Sequence, residues 1–84
     1  MKAINIYGIS RSEFKGNEMV FDYVETGYYS TKADALKYIN SVRKMHNGKW
    51  YALGKDRHAF MSYITNDGLT AHLSVERKLL FLNK

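Results

Sequence analysis

Residues 28–48, YYSTKADALKYINSVRKMHNG, carry the strongest helical pattern in the chain, and most of what surrounds them alternates with a period of two. Ser30 or Thr31 stands where a hydroxyl can cap a helix, Asp34 falls in the first turn, and Asn47-Gly48 supplies a left-handed stop. The spacing predicts a helix over 32–46. At about 100° per residue, Ala35, Leu36, Tyr38, Ile39 and Val42 share one broad arc, the face expected to lie on a sheet. Lys37 and Lys44 share the opposite face with Ala33, Asn40 and Ser41.

On the N-terminal side, KAINIYGI (2–9) sets Ile4 and Ile6 against Ala3, Tyr7 and Ile9. MVFDYVET (19–26) sets Met19, Phe21 and Tyr23 against Val20, Asp22 and Val24. Both read as strands. The polar SRSEFKGNE between them, with Gly16-Asn17, reads as a long hairpin loop.

On the C-terminal side, KWYALG reads as a third strand, GKDR as a turn and HAFMSYIT as a fourth strand. Asn66-Asp67-Gly68 fits a three-residue hairpin with glycine in the left-handed position. LTAHLSVE (69–76) then alternates Leu69, Ala71, Leu73 and Val75 against Thr70, His72, Ser74 and Glu76, the pattern of a strand with one wet face. RKLLFLNK (77–84) fits two structures. It can prolong the fifth strand, the favoured reading, or form a short helix capped by Ser74 with Val75, Leu79 and Leu82 on one face. The expected fold is α+β, a single domain over 1–84 in the order β-β-α-β-β-β, with one helix on one face of an antiparallel sheet.

With 84 residues, only about 60–65% of the unfolded chain's surface can be buried, so most aromatic residues are expected in the core. The absence of cysteine removes disulfides, thiolate metal ligands and a thiol nucleophile, which fits a reducing cytoplasm. MKAINIYGIS is too short and polar for a secretory core, and no apolar run is long enough to span a bilayer, so a cytoplasmic protein without membrane contact is expected. A net charge of +5 favours polyanions or acidic protein surfaces and disfavours an inhibitor that mimics DNA with rows of carboxylates. The richness in Lys, Asn, Ile and Tyr suggests an AT-rich genome, and the small size suits a phage or mobile element.

Catalytic and metal patterns are missing. With Ser62 opposite His72 across the NDG turn, His58 and His72 share a face but lie roughly 13 Å apart at the usual strand rise. Zinc bonds of about 2 Å cannot bridge that gap. His46 sits apart at the helix end, where the dipole favours it. The carboxylates show no local spacing that forces two into one pocket, and no P-loop, GxGxxG or nucleophile elbow occurs. A non-enzymatic protein without metal or cofactor is expected.

The binding material is cationic and aromatic. Lys37 and Lys44 on the helix, Lys49 after its stop, and Lys55 with Arg57 in the next turn are candidates for one basic edge facing nucleic acid or a nucleoprotein complex, with Trp50 as a stacking face. Trp50 and Tyr51 point to opposite sides of a strand, so one of them belongs to the core. The same residues also fit an ordinary solvated surface with Trp50 packed beneath the helix.

The rival expectation is a protein-directed inhibitor or adaptor. Its anchors would be Tyr28, Tyr29 and Phe60, unless the C-terminal LLFL folds over Phe60. A bare sheet edge also offers a second copy a place to pair.

Overall fold

The computed structural model describes residues 2–25, 27–53 and 58–82. The elements are β1 (Lys2–Lys15), β2 (Glu18–Val24), α1 (Lys32–His46), β3 (Lys49–Leu53), β4 (His58–Ile64) and β5 (Thr70–Leu82). The strands form one sheet in the order β2-β1-β5-β4-β3, with every registered pair antiparallel. The α+β fold and its element order are as the sequence predicts.

The helix begins and ends on local chemistry. Thr31 is the N-cap and its hydroxyl accepts from the Asp34 amide at 3.2 Å. Asn47, rather than Gly48, takes the left-handed position at φ 56° and donates its amide to the Arg43 carbonyl. Gly48 is needed for a different reason: a Cβ there would stand 2.5 Å from the Met61 sulfur and 3.0 Å from the Ser62 carbonyl oxygen. Ala35, Ile39 and Val42 are the helix's buried residues, and they lie against β1, β4 and β5. The core comprises these three with Ile9, Met61, Tyr63, Ala71 and Leu73, flanked by Tyr7, Tyr29, Tyr38, Trp50 and Val75.

The first hairpin differs from expectation. β1 runs unbroken to Lys15, and Lys15 pairs with Glu18, so the connection is only Gly16-Asn17. Gly16 has φ 63°, the left-handed first residue of a type II′ turn. A bulge at Val20 shifts the register, so that Glu13 faces Phe21 but Phe14 faces Met19.

The segment 77–82 is strand. β5 continues to Leu82, registered against β1 from Lys2↔Leu82 to Phe14↔Thr70. The C-terminal LLFL therefore lies along β1 and does not fold over Phe60. The NDG turn closes as expected, with the Thr65 amide donating to the Leu69 carbonyl at 2.8 Å and Gly68 at φ 84°. Ser62 faces His72.

Candidate functional site

One helix covers one face of the sheet, and no element among the described residues covers the other. On the covered side, alternation brings Ile9, Arg11 and Glu13 of β1 next to Leu73 and Ala71 of β5 and Met61 and Tyr63 of β4. Even-numbered residues of β1, β4 and β5 point the other way. There Phe14, His72, Phe60 and Tyr51 form a continuous aromatic row across β1, β5, β4 and β3. Ring centroids are 4.9 Å apart for Phe14–His72, 4.7 Å for His72–Phe60 and 5.5 Å for Phe60–Tyr51. Such cross-strand contacts stabilise an uncovered face by roughly 0.2–1 kcal/mol each.

Around the row lie Ser12, Ser62 and the exposed side chains of Met19, Tyr28 and Ile64. The Ser12 hydroxyl donates to Asp22 at 3.2 Å. Tyr28 rests over Gly8, where an added Cβ would stand 3.1 Å from its ring. Close by, opposite Gly8, one carboxylate oxygen of Glu76 is shut off from solvent without a hydrogen-bond partner. Burial of His72 between two phenyl rings disfavours its charged form and lowers its pKa.

Among the described residues the candidate cations Lys37, Lys44 and Lys49 do not share one strip. Lys37 and Lys44 lie on the outer surface of α1, lining an open hollow with Asn40, Ser41 and Arg43. Lys49 faces Ser62 on the open side of the sheet, so the sheet separates it from the helix cations. Trp50 turns to the covered side, packs on the core and donates its indole N–H to Asn40 at 2.9 Å. It is partly buried there and held by these contacts, turned to the opposite side of the sheet from Lys49. Tyr51, its neighbour, is the exposed ring of the pair, at 49%. Lys55 and Arg57 lie outside the described residues.

Of the protein-facing candidates, Tyr28 and Phe60 belong to the open face. Tyr29 is on the covered side, exchanging two backbone hydrogen bonds with Tyr7 and packing on Tyr38. His72 is on the wet face of its strand, as expected, opposite Ser62; Phe14 and Tyr51 were not expected in this surface. The signal that finds Phe14 is the alternation Ser10, Ser12, Phe14, once RSEFK is read as strand.

The carboxylates hold a second surprise. Glu13 and Glu25, distant in sequence, both bind Arg11. Its Nε donates to Glu13 at 2.7 Å and its Nη1 to Glu25 at 3.2 Å, while Nη2 donates to the Tyr63 hydroxyl. Tyr38 donates to the other oxygen of Glu25 at 2.9 Å. Burial alone would lower the Arg11 pKa, but its hydrogen bonds to Glu13, Tyr63 and Glu25 outweigh that and raise it. The Tyr38 hydroxyl is pushed up to about 12, first by burial and then by Glu25. His46 stacks on Tyr63 at 4.6 Å, which places it on the covered side, away from His72. Both carboxylates are thus occupied, Glu13 by Arg11 within β1 and Glu25 by Arg11 and by Tyr38 of the helix. Among the described residues no cluster of His, Asp or Glu has the arrangement of a metal site, and no helix is long and apolar enough to cross a membrane.

Comparison with protein-family models, with curated proteins and with solved structures yields no match for this chain.

Proposed function

We propose that the protein is a non-enzymatic binding module that docks another protein on the open face of its sheet. The observation that carries this reading is the aromatic row Phe14–His72–Phe60–Tyr51 on a face that no element among the described residues covers. Its rings lean on one another at interplanar angles of 46°, 40° and 23°. They leave no gap for an inserted base, and Tyr51, at the end of the row, is half exposed. What the surface presents instead is a firm aromatic centre with hydroxyls and scattered apolar side chains around it, the composition of a protein interface.

A second reading keeps the polyanion. The cations of the helix surface, Lys37, Arg43 and Lys44, line one hollow and suit phosphate contact.

Capture from a nuclease-treated cell lysate separates the two. Docking on the aromatic row predicts a protein partner that survives nuclease and is lost with Tyr51→Ala or Phe60→Ala, each weakening the complex by about 2 kcal/mol or more. Tyr51→Ala is the cleaner variant, because its ring is half exposed and the fold depends on it less. A partner that disappears with nuclease, or with Lys37→Gln/Lys44→Gln but not with Tyr51→Ala, would overturn the docking reading in favour of the helix surface.

A further inference from the structure

Away from the aromatic row the sheet narrows to a ribbon. Beyond Gly8, β1 and β5 continue together, pairing Tyr7 with Arg77 and so on to Lys2 with Leu82. Among the described residues β4 is registered beside β5 only from Thr70 to Leu73, and from Arg77 to Leu82 no described strand lies next to that edge of β5. The edge of β1 is closed at Tyr7 by Tyr29.

The ribbon is also apolar on both faces. Leu79 and Phe81 are each 58% exposed on one side, Leu80 and Ile4 about 42% and 38% on the other. A two-stranded ribbon with neither face packed is marginal in water, and an apolar open edge invites another strand.

The whole chain carries the matching excess of surface. It exposes 6402 Å², whereas a compact monomer of this mass exposes about 5,200 Å². The surplus of roughly 1,200 Å² per copy, carried by the open face as well as by the ribbon, is of the size that a homodimer interface of about 2,000 Å² or more in total would remove from two chains.

We infer that the ribbon is a self-association element: the β5 edge of one copy pairs antiparallel with the β5 edge of a second around a two-fold axis at Leu79. Residues directly opposite must share a face, so the register has to centre on a residue. With the axis at Leu79, Leu79 meets Leu79, Lys78 meets Leu80, and Arg77 meets Phe81 of the second copy. No like charges stand opposite one another, and the guanidinium gains an aromatic face. The pairing spans Arg77–Phe81 of each copy, beyond the registered β4–β5 pairs at Thr70–Leu73. The open face with the aromatic row continues across both copies, and this inference holds whether or not that row binds a protein.

Light scattering and sedimentation on the purified chain test it. The expected result is a particle of twice 9.8 kDa that dissociates on dilution. Because Leu79 faces itself, Leu79→Asp and Leu79→Lys should each weaken self-association by about 100-fold or more through like-charge contact. An equimolar mixture of the two should recover the dimer, which a merely misfolded variant could not do. A wild-type chain that stays monomeric, a Leu79→Asp dimer of unchanged strength, or a mixture that remains monomeric would each overturn the inference.

Discussion

At Arg11 one guanidinium serves acceptors from three places in the chain: Glu13 within β1, Glu25 just past β2, and Tyr63 in β4. Through Glu25 it also reaches Tyr38 on the helix. The side chains of Arg11, Glu13 and Glu25 are only 15%, 13% and 20% exposed, so removing the cation leaves two carboxylates close together and poorly solvated. Arg11→Met should therefore cost about 2–3 kcal/mol, below the range for fully buried pairs because some water reaches the site. Urea unfolding measures it, and a loss under about 0.5 kcal/mol would mean that the network is only a surface feature.

Tyr38 adds a pH dependence. Its folded-state pKa, about 12, lies above the ordinary value of about 10, so its contribution is complete below pH 10 and is lost as the pH rises from 10 through 12. Tyr38→Phe should flatten that part of the alkaline stability profile and leave the neutral range little changed in slope. None of this was legible in the sequence. Ser10–Lys15 carries polar residues on both faces, which resembles a loop until Arg11 and Glu13 are seen to find their partners from other elements.

At the scale of elements, the helix was legible because its limits are set locally, by Thr31 at one end and Asn47 at the other. The fifth strand was legible for a similar reason, since the alternation of Ala71 and Leu73 against Thr70 and His72 needs no knowledge of the neighbours. The candidate basic edge depends instead on how elements are stacked. One step along β3, from Lys49 to Trp50, reverses the face of the sheet, so Lys49 parts company with Lys37 and Lys44.

The junction between helix and β3 is equally a matter of stacking, and it makes Gly48 sensitive. Met61, whose sulfur an added Cβ would meet, is fully buried in the core, and the other close neighbour is backbone. Gly48→Ala should destabilise by about 1–3 kcal/mol through overpacking. Met61→Val, which has no atom at the δ position of the obstructing sulfur, should reduce the penalty when the two are combined. A double-mutant cycle in urea checks this, and strict additivity would show that the crowding lies elsewhere.

For the whole molecule the informative quantity is shape. A compact chain of 84 residues has a radius of gyration of about 12 Å, whereas this one has 14.2 Å and extends over 47 × 27 × 22 Å. The difference comes from the two-stranded ribbon, where Leu79 and Phe81 remain exposed instead of closing a core. Sequence patterning names these residues as apolar and in strand, but it does not tell whether a fourth or fifth strand reaches far enough to cover them. That depends on β5 having 13 residues and β4 only 7. Small-angle scattering on Leu79→Asp, the variant expected to be monomeric, should give a single-chain mass and a radius of gyration near 14 Å with an elongated distance distribution. A value near 12 Å at that mass would mean that the ribbon folds back onto its own sheet, covering the apolar side chains that self-association needs. The elongated monomer leaves the ribbon's edge open in each copy, and the open edge is the condition under which the Leu79→Asp and Leu79→Lys chains can find one another when mixed.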